Sequence, residues 1–338
     1  CKKEDLMPFD RSGVAKIIEY GSRLAGQQDK LSSRFSDVAD LLRESNYWAK
    51  KAGSDLVTTK HVEKAIDEKI YRTNRIEERL QEMILEGTLI IDTSGAKVGQ
   101  VNGLAVMGMG DYMFGKPSRI TASTYAGKAG VINIERETKM SGRIHEKAIL
   151  ILTHYIGSTY ARNKSISFTA SITFEQLYDM IEGDSATCAE LYTILSSLSG
   201  LPLKQNIAIT GSMDQNGDVQ PIGGVNEKIE GFFDLCKMRG LDGTHGVIIP
   251  RKNVNNLMLK KDVVDAVRDG KFSIFPIERV EEGLEIFTDT PMGRMNEDGT
   301  FPEGTISYLV MKRLTALTES FKDKKDKDKD KDEEENNK

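Results

Sequence analysis

Three cysteines in 338 residues, Cys1, Cys188 and Cys236, are too few and too scattered for a disulfide framework or a zinc site. So low a thiol count fits a reducing compartment, and the expectation is a cytoplasmic protein. No stretch approaches the roughly 18 consecutive apolar residues of a membrane span, and no signal peptide is visible. The net charge of −5 offers no reason to expect a nucleic-acid partner. A phosphate loop of the form Gly-x-x-x-x-Gly-Lys-[Ser/Thr] is also missing. The pairs Gly115-Lys116, Gly127-Lys128 and Gly270-Lys271 are each followed by a residue other than Ser or Thr, so this chain alone is not expected to bind ATP productively. None of the four histidines sits in a convincing Ser-His-Asp setting. The chain begins with Cys1 rather than Met, which reads as a fragment of a longer polypeptide.

What is present is ordinary globular material, 38% hydrophobic and 29% charged, with length for about two domains. From Ser12 to about Arg79 the apolar spacing is helical, with Val14, Ile17, Ile18 and Leu24 on one face and Phe35, Val38, Leu41, Leu42 and Tyr47 on another. Thr58 or Thr59 caps a further helix, and a long polar helix from Ile66 to about Leu85 leads away. The pattern changes at Gly87. Thr88–Thr93 and Val98–Val106 read as the arms of a hairpin, with strands at Ser118–Tyr125, Gly130–Glu135, Ser165–Phe174, Gln205–Thr210 and Gly246–Pro250. Helices are expected at Gly142–Arg162, Ser185–Ser199, Val225–Arg239, Lys260–Gly270 and Ile306 to about Phe321. Strands alternating with helices argue for a mixed α/β or α+β domain behind a small all-α bundle. The residues from Lys322 to Lys338 hold no apolar side chain and are expected to be disordered.

Two residues carry the chemistry. Ser185 follows Glu182-Gly183-Asp184 where a helix begins, so N–H groups at the helix start could hold a developing oxyanion. Lys228 lies 43 residues downstream, early in a helix entered through Gly223-Gly224. A serine hydroxyl attacks a carbonyl only if its proton is taken, and a desolvated lysine can take it. Thr210, at the end of a buried strand, could hold the lysine amine. The plain alternatives are an N-cap serine, a solvated lysine and a strand-ending threonine. Cys188 reads as a small buried hydrophobe, and His145 as a core or interface histidine that could otherwise face the cleft. Asp214–Asp218 reads as a turn rather than a calcium loop.

The motifs Gly183-Asp184-Ser185-Ala186, Ala208-Ile209-Thr210-Gly211-Ser212-Met213 and Gly217–Lys228 stand in an order and spacing that resemble the proteolytic domain of Lon-type ATP-dependent proteases. Val98–Ala105 adds to the resemblance, which spans about Gly87 to Phe287 and looks closest to the B-type and Lon-like branch. It implies Ser185 as nucleophile, Lys228 as base and Thr210 as support for the lysine, with Glu182 as an acid able to modulate Lys228. Most Lon proteases have Gly-Pro-Ser-Ala-Gly around the nucleophile, so Asp184 and Thr187 are departures that alter the backbone near the oxyanion. The helical segment resembles the lid of an AAA+ ATPase, which implies that Arg34 senses a nucleotide if an ATPase core, with ATP and Mg2+, accompanies this chain.

The implied organisation is a lid-like bundle over residues 1–80, a proteolytic domain over 81–290, a helical extension over 291–321 and a disordered tail over 322–338. The implied activity is ATP-dependent endoproteolysis of unfolded or damaged proteins by a homohexameric ring, with no nucleic acid, membrane or metal involved. The alternatives are an inactive adaptor or assembly module, and an amidase with the same dyad.

Overall fold

The structure, a computed structural model, describes residues 1–162 and 166–336, and for 323–336 it describes the backbone alone. The Asp10 carboxylate accepts the Gly13 N–H at 2.7 Å and so caps helix α1 (Arg11–Ala25), which stops at Gly26 with φ 64°. Helices α2 (Phe35–Lys51) and α3 (Thr59–Tyr71) close around Leu41, Ala49, Val57, Val62 and Ala65 to make the expected bundle. The long helix expected from Ile66 to Leu85 is two helices, α3 and α4 (Arg75–Leu85). The Thr73 hydroxyl turns back onto the Lys69 and Ile70 carbonyls, and the Thr73 and Asn74 N–H groups both donate to Ile70. The turn consumes the carbonyls that would carry the helix onward.

After α4 come β1 (Ala96–Lys97), β2 (Gln100–Met109), β3 (Tyr112–Tyr125) and β4 (Gly130–Asn133), then α5 (Ile134–Glu137), α6 (Arg143–Tyr160) and β5 (Thr169–Phe174). The Ser165 end expected for the last of these strands lies outside the described residues. Next are α7 (Thr187–Ser199), β6 (Leu203–Lys204), β7 (Ile207–Ile209), β8 (Ser212–Met213), β9 (Val219–Gln220) and α8 (Val225–Arg239). The chain continues with β10 (Gly246–Pro250), α9 (Lys261–Arg268), β11 (Ser273–Ile277), α10 (Val280–Thr288) and α11 (Ile306–Asn336). A seven-stranded mixed sheet runs β11-β10-β7-β2-β3-β5-β4.

The expected hairpin between Thr88–Thr93 and Val98–Val106 does not form; β2 pairs antiparallel with β3 instead. Side chains take over the ladder on the other arm. Asn102 Nδ2 donates to the Asp92 carbonyl and Gln100 Nε2 to the Asp92 carboxylate, both at 2.7 Å, while Ile91 is buried against Ile84 and Leu235. The Asp214–Asp218 turn joins β8 to β9, with the Asp214 carboxylate accepting the Asn216 and Asp218 N–H groups.

The sheet separates two cores. Ile209 and Ile248 belong to the cluster that holds α7, whereas their neighbours Ala208, Val247 and Ile249 belong to the cluster that holds α8, as the two-residue period of a strand requires. Helix α8 crosses β3 at a pair of glycines. A Cβ on Gly231 would stand 2.2 Å from the Gly115 carbonyl oxygen, and one on Gly115 would stand 2.0 Å from the Glu227 carbonyl oxygen. Helix α11 seats Ile306, Val310, Leu314 and Leu317 in the α7 core. Its backbone continues to Asn336, beyond the end expected near Phe321, where a disordered tail is expected. Lys and Glu are good helix formers, and no Gly or Pro interrupts them. No helix among the described residues is long and apolar enough to cross a membrane.

Replacing glycine by alanine inside a helix ordinarily stabilises by about 1 kcal/mol. At Gly231 the sign reverses, because the added methyl must displace β3 backbone. Gly231→Ala is expected to lower the urea midpoint, and a midpoint equal to or above that of the unaltered chain would contradict the crossing.

Candidate active site

Ser185 stands in a tight turn. Gly183 adopts φ 90°, a conformation glycine takes at no steric cost, and the Thr187 N–H and hydroxyl both close on the Asp184 carbonyl. Helix α7 therefore starts at Thr187, two residues later than expected, and Ala186 holds the N-cap position. The Ser185 hydroxyl is not spent on capping. Its carbonyl accepts the Gly211 N–H at 2.8 Å, which ties the turn to the segment leaving β7.

Lys228 arrives from the other face of the sheet. Gly224, at φ 67°, turns the chain into α8 with its α-carbon against Val106, and Lys228 falls in the first turns of that helix. The side chain runs inward, with the residue 3% exposed. Its Nζ lies 2.9 Å from Ser185 Oγ and 3.1 Å from Thr210 Oγ1. Thr210 Oγ1 in turn donates to the Ser185 carbonyl at 3.3 Å, so its proton is directed away from the amine and a lone pair faces it. The three groups meet over the C-terminal end of β7, between strands parallel to it.

Burial pushes the Lys228 ammonium down to about 8, against the opposing pull of the Asp184 and Glu227 charges. The positive end of α8 acts in the same direction as burial. About a tenth of the amine is then neutral near pH 7, and a neutral amine at this distance can accept the Ser185 proton.

The other residues singled out by sequence fall as follows. Asp184 points toward Ser212, whose hydroxyl donates to its carboxylate at 2.9 Å. Glu182 is exposed and accepts the Ile144 N–H at 3.2 Å, at the start of α6, with its carboxylate filling the space a Gly142 side chain would take. It serves that helix terminus and makes no hydrogen bond to Lys228. Arg34 precedes α2 in the helical bundle, exposed and 3.9 Å from Asp37. Cys188 is fully buried, its Sγ near the Ser212 carbonyl, and burial pushes the thiol up. His145 is enclosed between Asn133 and Glu190, 3.4 Å from the latter, rather than at the serine. Burial pushes the imidazole down and the Glu190 carboxyl well up.

Sequence reasoning missed Ser212, the partner of Asp184, and the Gly115–Gly231 crossing that sets the depth of Lys228. Ser212 stood in a quoted motif, but nothing local marks its partner. The two glycines are 116 positions apart by number, 115 and 231, and only packing pairs them.

A serine and a buried lysine in contact, in a mixed α/β domain behind a helical bundle, are the outline of a peptidase joined to an ATPase lid. Residues 56–288 match the Lon protease (S16) C-terminal proteolytic domain, and residues 8–72 match the archaeal LonB AAA+ ATPase LID domain. The chain belongs to the Lon protease family. Over 272 residues it is 38% identical to the putative Lon protease homolog of Escherichia coli (strain K12), a match covering 80% of this chain and 46% of that protein. It is 36% identical over 323 residues to the putative homolog of Haemophilus influenzae, covering 94% and 53%. With the archaeal Lon protease of Archaeoglobus fulgidus it shares 32% over 281 residues, covering 82% and 42%. The chain thus spans about half the length of the curated relatives it matches. The expected fold class, a Lon proteolytic domain behind a lid, is borne out.

A lysine held at about 8 in the folded chain and 10.5 when unfolded makes the unfolded state bind more protons between those values. The penalty is complete below pH 8, shrinks as pH rises through this window and is gone above it. Lys228→Met is therefore expected to stabilise the chain at pH 7, by at most roughly 3 kcal/mol, with the difference narrowing toward pH 10.5. Denaturant midpoints of both proteins across pH 7–10 would show it, and an equal gap at every pH would refute it.

Proposed function

We propose that this chain is an endopeptidase of unfolded or damaged proteins, with Ser185 as nucleophile and Lys228 as its general base. The observation that supports it most is the buried Lys228 amine, drawn down to about 8 and 2.9 Å from the Ser185 hydroxyl. The amine takes the hydroxyl proton as Oγ bonds to the scissile carbonyl carbon, and the ammonium returns that proton to the departing amine as the peptide C–N bond breaks. Water then attacks the ester carbonyl, giving its proton to Lys228, and the ammonium returns it to Ser185 Oγ as the acyl group leaves. The Ser185 and Ala186 N–H groups donate to no protein acceptor among the described residues and would be available to an oxyanion formed at Ser185. Thr210 keeps the amine aimed at the serine.

Extended substrate would add beside a sheet edge, a mode that reads backbone more than side chains. Nucleotide has no place in these steps, because the chain carries no phosphate loop. ATP and Mg2+ enter only where an ATPase core accompanies it, and Arg34, exposed on the lid, would then be free to meet a phosphate. A homohexameric, cytoplasmic assembly for protein quality control is the setting the family membership supports.

The second reading is an inactive assembly module, favoured by Thr187 locking the Asp184 carbonyl and by the Asp184 charge that holds protons on Lys228. Unfolded casein, with and without ATP, separates them. Cleavage is expected from the chain and from Cys188→Ala, and is expected to vanish in Ser185→Ala and Lys228→Ala. Undiminished cleavage by Ser185→Ala would overturn the assignment. No cleavage by the unaltered chain, together with no reaction of Ser185 with a fluorophosphonate, would favour the inactive module.

A further inference from the structure

Helix α8 presents its catalytic end to more than the serine. Two residues beyond Lys228, the Glu230 side chain is 4% exposed and is held by a fork: Arg23 Nη1 donates to Oε1 at 2.6 Å and Nη2 to Oε2 at 2.7 Å. Arg23 belongs to the last turn of α1, in the lid bundle. The same guanidinium donates to the Met258 carbonyl at 2.8 Å and lies 3.9 Å from Glu227, the residue before Lys228. A second set of bonds runs parallel. The Gly26 carbonyl accepts from Asn256 Nδ2 at 2.8 Å, and the Gln28 N–H donates to Asn255 at 3.1 Å. On its far side that segment grips the first turn of α8, where Asn226 donates to the Asn256 carbonyl and accepts the Met258 N–H.

We infer that Arg23 is a positioning residue for Lys228, holding the helix that carries the lysine so that the placement of the lid governs where the amine stands. The inference rests on the reading of Ser185 and Lys228 as a catalytic pair. A bidentate guanidinium–carboxylate pair fixes both distance and angle, which a lysine's point charge does not. Its partner is buried, so losing the pair leaves the Glu230 carboxylate with the Lys260 N–H at 2.8 Å and the Lys260 ammonium at 3.9 Å. Movement of α1 therefore either carries the start of α8 with it or breaks the fork.

The charges around this helix give the inference a sign. Facing Lys228 are Asp184 from the serine turn and Glu227 from its own helix. Facing Glu230 are Arg23 from α1, Lys260 ahead of α9, and, more distantly, Glu77 of α4, whose partner is the Tyr112 hydroxyl of β3. Asp234, one turn on, is paired with Lys260 at 3.3 Å. Removing Arg23 strips the nearby cation from Glu227, whose carboxylate then favours the ammonium form of Lys228 more strongly, and it takes the fork off Glu230 two residues on.

The test is the pH dependence of the rate at which a fluorophosphonate labels Ser185 in the full chain, in Arg23→Ala, Arg23→Gln and Arg23→Lys, with Ser185→Ala as control. Arg23→Ala is expected to label about tenfold more slowly at pH 7, with the midpoint of its pH profile moved upward, and Arg23→Lys to recover most of both. Should Arg23→Ala fail to melt cooperatively, Arg23→Gln, which keeps a donor but loses the charge, is read in its place. A variant that labels at the unaltered rate and midpoint overturns the inference, as does a slower rate with an unmoved midpoint, which a merely loosened fold would give. If the unaltered chain is not labelled at Ser185, the catalytic pair itself fails, and this inference with it.

Discussion

An ammonium group withdrawn from water must lose its proton or find an anion, and the arrangement around Lys228 leaves it short of anions. Asp184 gives its carboxylate to Ser212, Glu227 has Arg23 close by, and Glu182 is engaged at the start of α6. What remains within bonding distance of the amine is two hydroxyls, Ser185 and Thr210. Neutral hydroxyls repay little of the desolvation cost, so burial draws the amine down to about 8. The stability surrendered at this one residue is a known signature of functional sites, and a large apolar core on each side of the sheet offsets it.

That dry contact depends on backbone approach more than on side-chain chemistry. Gly224 gives α8 its left-handed entry, and Gly115 and Gly231 let the helix sit against β3 without a side chain between them. On the opposite face, Gly183 and Thr187 shape the serine turn, and Gly211 pins it to the strand end. The departures from the commoner Gly-Pro-Ser-Ala-Gly motif are absorbed locally. Asp184 finds Ser212, and the Thr187 hydroxyl finds the Asp184 carbonyl, so both polar side chains are satisfied where they stand.

The regular elements were largely legible. Helix α8 has the bounds read from its periodicity, β10 likewise, and most other helices differ by one to three residues at an end. The errors share a cause, which is hydrogen bonding that a local pattern does not display. Thr73 breaks one helix by bonding backward, and Asn102 and Gln100 replace a hairpin arm with side-chain bonds to Asp92. Glu182 reads as an acid beside the catalytic pair because of its place in the chain, yet its carboxylate turns to the end of a helix 38 residues earlier.

Motif order and spacing, read alone, determined the Lon family, the mixed fold behind a lid, and the candidate pair Ser185 and Lys228, because residue types at fixed separations survive in the linear chain. Whether those two side chains meet was decided only in three dimensions. Ser185 stands in the turn before α7 on one face of the sheet and Lys228 in α8 on the other, and they converge over the end of β7; the twofold alternation that sends Ala208 and Ile209 to different cores sets that geometry. The dryness of the lysine, the fork from Arg23 and the buried His145–Glu190 pair belong to the same category. Burial and contact are sums over residues distant in sequence, and no local stretch of the chain contains them.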